Sequence, residues 1–377
     1  MTVKFLHTGD WQIGKIFGTV SGDAGALLRA ERLKTVQRIS RLAAEHRVDA
    51  VLVAGDTFET DLVSNDTIHG LLHTMEAFKG PWVFIPGNHD PAVAESVWQR
   101  VAGLGCPDNV HLALGPAPVA LADGRLFVLP AALHRKHEIE DLTAAWDTTT
   151  TPEGAVRVGL AHGTVEGRLP GASEATNPIA TDRETRARLD YLALGDWHGT
   201  YQISDRTWYA GTPEPDRFKG NDPGNVLLVT IDAPGAKPAV ELVRVAKYRW
   251  AAVDAELNSA HDLSALEANL AALGEPFDQH IVSLAIAGAV DFDIRENLDR
   301  LLSRWRGRFT WLGEDCSRLV ARPTDADLDR IDTTGFVRTA IERLRAVDAD
   351  PSDPCQAHAM EALQLLYQVQ ISDVENK

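Results

Sequence analysis

The chain is poor in the residues that staple or anchor a polypeptide. Its 377 residues include three cysteines, Cys106, Cys316 and Cys355, an odd and scattered set. That speaks against a disulfide framework and for reduced thiols, as in the cytoplasm. Apolar runs are no longer than a strand, which leaves no segment fit to be a membrane-spanning helix. Strand pattern begins at residue 3 and is read as leaving no room for a signal peptide. No internal repeat is found, and the one low-complexity stretch, residues 148–151, reads as a loop. Basic residues are also short: 37 Lys and Arg against 54 Asp and Glu, a formal net charge of −17. Such a surface repels polyphosphates at long range. A nucleic-acid site on this chain has to be local, screened by cations, or completed by a partner.

What is present is an alternation of strand and helix. Strands are expected at 3–8, 49–54 and 81–86, with helices at 26–46, 65–78 (capped by Ser64 or Asn65) and about 93–101. Strands near 110–114, 118–121, 126–129, 156–161 and 191–195 follow, with a helix at 183–189. Antiparallel strands at 208–210, 225–231 and 240–245 close the pattern. This predicts an α/β domain over residues 1–246, a pair of sheets sandwiched by helices. Residues 247–323 read as a small α+β domain and 324–377 as a helical segment, with helices at 336–346 and 356–371.

Five of the apolar runs end in polar side chains of a particular kind. The segments are Asp10-Trp11-Gln12, Gly55-Asp56-Thr57-Phe58-Glu59, Gly87-Asn88-His89-Asp90, Ala161-His162-Gly163 and Gly195-Asp196-Trp197-His198. C-terminal ends of buried parallel strands are where open α/β sheets build their sites. Residues at i and i+2 in extended chain face the same side, so Asp10 with Gln12, and Asp196 with His198, can reach one ion. A carboxylate such as Asp56 has two oxygens and can bridge two cations. Each segment alone is a turn or a cap. Five in order, all at strand ends, describe oxygen and imidazole ligands of a binuclear metal centre.

With these residues the chain resembles the calcineurin-like metallophosphoesterases, whose signature runs Asp-x-His, Gly-Asp, Gly-Asn-His-Asp/Glu, His, Gly-His-x-His. It looks most like their DNA-repair exonuclease branch, the SbcD-like nuclease subunits. The motifs cover about the first 245 residues; beyond them only the layout of cap domain and C-terminal helices matches. The resemblance implies a four-layer αββα sandwich with an α+β cap. It implies Asp10 and His198 on a first metal, Asp56 as bridge, and Asn88 and His162 on a second. It makes His89 the residue that contacts the phosphate or protonates the leaving oxygen, with Asp90 orienting it. Gln12 and Asp196 depart from the family, each standing where histidine is usual. The resulting carboxylate-rich set favours manganese or magnesium over zinc.

The implied activity is metal-dependent phosphodiester hydrolysis on DNA. Alternatives are a small-molecule phosphoesterase acting on nucleotides or cyclic nucleotides, and a non-catalytic scaffold with a weakened metal site. Arg135, Lys136, Arg168, Arg183, Arg186, Arg188 and 217–219 supply cations for a phosphate backbone, against the plainer role of a solvated helix face. Trp11 and Trp197 are placed to stack on a base or to pack beneath the metal loops. The last helix sets Ala359, Leu363, Leu366, Tyr367 and Gln370 at helical spacing. By resemblance it docks an SMC-like ATPase. Expected partners are therefore DNA, that ATPase and a second copy of the chain, with no membrane.

Overall fold

Short runs of Val, Leu, Ile and Ala form the buried strands of two six-stranded sheets in the computed structural model. The structure describes residues 2–170, 177–321 and 335–356, and beyond these 358–359, 361–363 and 365–366. The expected boundary at Pro323 and the final positions Tyr367 and Gln370 lie outside the described residues. The chain divides into two units, Met1–Arg249 and Trp250–Lys377.

The first sheet is built by β1 (Val3–Thr8), α1 (Ala24–His46), β2 (Ala50–Ala54), α2 (Asn65–Thr74), β3 (Trp82–Ile85), α3 (Val97–Gly103) and β4 (Val110–Leu112). These four strands are parallel neighbours, with Leu6 beside Val51 and Val51 beside Trp82. The second sheet holds β5 (Val119–Leu121), β6 (Leu126–Ala131) and β7 (Val156–His162). The short β8 (Thr164–Val165) and β9 (Pro178–Ile179) pair with each other. The helix α4 (Arg183–Arg186) then leads to β10 (Tyr191–Gly195), β11 (Tyr201–Gln202) and β12 (Thr207–Tyr209) in the second sheet. The last strands, β13 (Asn225–Ile231) and β14 (Ala239–Arg244), return antiparallel to the outside of β1.

Three apolar layers separate the elements. Phe5 and Leu52 of the first sheet meet Val158 and Leu160 of the second between the sheets. Val36, Ile39 and Ala43 of α1, spaced by helical turns, pack on Leu6, Val51 and Val53. Trp146, Leu129 and Leu192 cover the outer face of the second sheet. The architecture is an α/β sandwich of the αββα kind.

Some boundaries moved for tertiary reasons. The helix expected over 65–78 ends at Thr74, because the Ser40 hydroxyl donates to the Met75 carbonyl at 2.7 Å and accepts the Phe78 N–H at 3.0 Å. The helix expected near 93–101 starts at Val97, whose N–H goes to Asp61 Oδ1 at 2.9 Å. The strand at Trp208 is not simply antiparallel: it runs parallel to β10 and antiparallel only to β11. The 183–189 helix shortens to α4, with Arg188 in the left-handed region at φ 51°.

The second unit has a three-stranded sheet, β15 (Arg249–Leu257), β16 (His280–Val290) and β17 (Trp311–Ala321). It also holds α5 (Ala260–Ala271) and α6 (Phe292–Arg306), whose Leu266, Leu270, Leu298 and Leu302 share a core with Leu284 and Ile286 of β16. The helix α7 (Phe336–Asp348) packs Ile341 with Leu363.

Candidate metal centre

Because β1, β2 and β3 are mutually parallel, as are β7 and β10, the five polar segments leave the sheets at C-terminal strand ends. Close backbone approach joins the two sets. His162 Nδ1 lies 2.8 Å from the Ala54 carbonyl, which can only accept, so Nδ1 carries a proton, and in the neutral ring Nε2 presents a lone pair. A Cβ on Gly195 would stand 1.9 Å from that same carbonyl oxygen, so only glycine fits there. Asp10, Gln12, Asp56 and Asp196 all have φ between 43° and 97°. Left-handed backbone costs a non-glycine residue on the order of 1–3 kcal/mol, and such strain gathers at functional sites.

Side chains of all five segments converge. His162 Nε2 is 3.5 Å from Asp56 Oδ1 and 3.7 Å from Asp196 Oδ1. Asn88 Oδ1 is 3.1 Å from His162 Nε2 and stands equally close to the Asp56 carboxylate. The Asp196 N–H donates to Asp10 Oδ1 at 3.1 Å, tying the first and last segments together. Asp10, Asp56 and His162, all buried, offer donor atoms within 4.8 Å of one another. With Nδ1 protonated, the neutral His162 ring, the Asn88 oxygen and the Asp56 carboxylate are all acceptors aimed at one another. Either a proton on His162 with the Asn88 amide turned over, or a cation between them, relieves that arrangement. Oxygen donors with one imidazole fit a hard divalent cation.

The electrostatics agree. Burial pushes the Asp10 carboxyl up, to about 6, against the pull of His198 and His162. Burial alone would lower His162, but Asp56, Asp10 and Asp196 hold it charged, raised to about 9. These acids attract positive charge strongly enough to keep a buried imidazole protonated.

His89 is half-exposed. Its main-chain N–H donates to Asp56 Oδ1 at 2.9 Å, and its ring Nδ1 lies 3.1 Å from the Glu59 carbonyl. The expected orienting role of Asp90 is corrected here. Its carboxylate is fully buried and accepts the N–H of Phe58 at 2.9 Å and of Gly87 at 2.7 Å, so it braces the loop rather than the imidazole. Burial, then the neighbouring Asp56, push its pKa well up.

Gln12 and His198 lie beside each other, 3.3 Å between Gln12 Nε2 and His198 Nε2. Around them stand groups the motifs do not contain. Asp216 is 3.3 Å from His198 Nδ1; Lys15 and Arg217 flank it at 3.3 and 2.9 Å. Burial opposes the charge of Asp216, but His198 and Arg217 hold its carboxyl far below the usual range. Thr164 donates to Asp196 Oδ2 at 2.9 Å. Of these, Arg217 is among the cations expected from the sequence; nothing in local spacing marks Lys15, Thr164 or Asp216.

Other expectations change. Trp11 is buried edge-on to Trp82 and Phe84, a core role rather than a base platform. Arg183 is buried between Asp141 and Asp147, at 2.6 and 2.7 Å, and Arg135 pairs with Glu138 at 2.8 Å. Arg183 therefore does not face a solvent-borne phosphate.

Residues 3–185 match the family model described as Calcineurin-like phosphoesterase. The chain is 23% identical over 305 residues to a protein named DNA double-strand break repair protein Mre11 from Methanosarcina acetivorans, covering 77% of this chain and 46% of that one. It is 25% identical over 227 residues to the SbcD component of the SbcCD nuclease of Staphylococcus epidermidis, covering 54% and 59%. The chain spans about half the length of the curated relatives it matches.

Proposed function

We propose that this chain, which through residues 3–185 belongs to the calcineurin-like phosphoesterases, hydrolyses phosphodiester bonds of DNA as a divalent-metal-dependent exonuclease in repair. The observation that carries the reading is the convergence of Asp56, Asn88 and His162 donor atoms at the parallel strand ends. The names borne by its relatives, a double-strand-break repair protein and a nuclease component, support DNA as the substrate.

Asp10, Asp56, Asn88, His162 and Asp196 are the residues that would hold metal, with manganese or magnesium favoured by the oxygen-rich set. A bound divalent cation supplies Lewis-acid polarisation of a phosphoryl oxygen and lowers the pKa of water. The protein's own contribution is position and a proton. His89 is held at both ends of its reach, by its amide on Asp56 and its ring on Glu59. With Nδ1–H donated to that carbonyl, Nε2 is the free nitrogen, and in the protonated ring it can deliver a proton to a leaving oxygen. Asp90 keeps the loop under His89 in shape.

For partners, we assign α7 and the residues after it to docking an SMC-like ATPase. Exposed Phe336 and Leu365 give that region an apolar surface.

The test is purified full chain, stripped by chelation and reloaded with manganese, magnesium or zinc. It is offered labelled single- and double-stranded DNA beside a generic phosphodiester. Release of nucleotides from DNA with manganese or magnesium is expected. Cleavage of the small diester alone would move the assignment to a small-molecule phosphoesterase. Activity with zinc alone would overturn the metal preference. No cleavage of any substrate would leave the scaffold reading.

A further inference from the structure

The two halves of the candidate centre differ in what they offer a cation. On the Asp56–Asn88–His162–Asp196 side, two carboxylates, an amide and an imidazole face one another. On the Gln12–His198 side the donors are already taken. Lys15 Nζ lies 3.0 Å from Gln12 Oε1. An ammonium only donates, so the amide oxygen points at Lys15 and the amide N–H group at His198 Nε2, 3.3 Å away. His198 Nδ1–H is then left to donate to Asp216, 3.3 Å away, with the Arg217 guanidinium against the same edge of the ring, Nη2 2.8 Å from Nδ1.

Charge points the same way. Lys15, Arg32 and Arg217 stand within 3.8 Å of the single buried carboxylate of Asp216, and Glu59, 3.2 Å from Lys15, adds a second acid. Asp10 acts on Arg217 and Glu214 on Arg32 as well, so charge here is close to balanced, and Lys15 and Arg217 already neutralise acids that a second divalent ion would otherwise serve. The donor set on this side does not fit one.

We infer that the chain holds one divalent cation, on the His162 side, and that the ammonium of Lys15 and the guanidinium of Arg217 occupy by charge the place of a second. The inference rests on the metal-dependent reading above and deepens it. Asp216 is the positioning residue of this arrangement, since it gathers Lys15, Arg217 and His198 on one carboxylate. The positive charge a second ion would bring to a bound phosphate is then built into the fold.

Manganese(II) alone is the probe, added to the chelator-stripped full chain, with binding followed by calorimetry and by electron paramagnetic resonance. One ion per chain with an uncoupled six-line spectrum is the expected result. Two ions per chain with an exchange-coupled spectrum would overturn the inference and leave the metal-enzyme reading standing. No bound ion, with His162→Ala indistinguishable from wild type, would sink both. The double variant Gln12→His, Lys15→Ala restores an imidazole and removes the ammonium. It is expected to raise the stoichiometry toward two, and an unchanged count of one would overturn the role given to Lys15. Because the wild-type stoichiometry decides first, misfolding of the variant does not shelter the inference.

Discussion

The main-chain N–H of His89 donates to Asp56 Oδ1 at 2.9 Å while the ring Nε2 of the same residue stands 4.0 Å from Asp56 Oδ2. Backbone and side chain thus do separable jobs. His89→Ala keeps the amide bond that orients Asp56 and removes only the imidazole. Manganese affinity should stay as in wild type while turnover on DNA falls about 10²–10⁴-fold, the usual worth of a positioned general acid. Calorimetric titration beside single-turnover cleavage separates the two effects, and wild-type turnover would dismiss the role given to the ring.

Manganese affinity should depend on pH with a definite sign. Without metal, His162 is raised to about 9 by the acids around it, although burial opposes its charge, and buried Asp10 is raised to about 6. A cation needs the deprotonated forms, so binding displaces protons. Affinity should climb about tenfold per pH unit between about 6 and 9, more steeply below 6, and level off above 9. Titrations in buffers of different ionisation enthalpy count the protons released. Affinity independent of pH over that window would show that these groups do not bind the ion.

Gly87 faces Asp56 so closely that a Cβ would lie 2.1 Å from Oδ1 and 2.4 Å from the backbone nitrogen. The obstruction includes main chain, which cannot swing away. Gly87→Ala should therefore cost about 1–3 kcal/mol, as over-packing does, and weaken manganese binding by displacing Asp56. Gly103→Ala is the control, because nothing lies within 4 Å of its Cβ position. Equal thermal melts for both variants would contradict the close approach of Gly87 to Asp56.

Arg183 is 2% exposed and binds Asp141 and Asp147. Arg183→Ala leaves both carboxylates without it and should cost about 3 kcal/mol. Burial raises the Asp141 pKa, but Thr143, Arg183 and the Ala180 N–H together hold it below its ordinary value. A depressed carboxyl stabilises the fold above its unfolded pKa, about 3.9, and that contribution is lost as pH falls through the folded value. Asp141→Asn should thus be less stable than wild type at pH 7, with the gap narrowing below about pH 4. Denaturant melts at both pH values measure it; a constant gap would refute the pairing.

Much of the architecture was legible locally. Strand cores such as 50–54 and 191–195 announce themselves by unbroken apolar character, and Ser64 accepts the Thr67 N–H at 3.2 Å as an N-cap should. Helix ends were less so, since the last turn after α2 is claimed by Ser40, about 35 residues earlier, through bonds no periodicity records.

The amino-acid sequence by itself determined which strand ends carry carboxylate, amide and imidazole groups, because buried-strand pattern and turn chemistry are properties of neighbouring residues. Tertiary structure alone decided what those groups meet. Gln12 finds His198, 186 residues away in sequence. His89 turns its ring to the Glu59 carbonyl, while the adjacent Asp90 carboxylate accepts the N–H groups of Phe58 and Gly87. Hydrogen bonds and charges act through space at about 3 Å. The pairing of distant segments that sets those distances is a product of two sheets packing face to face, and no local window of the chain contains it.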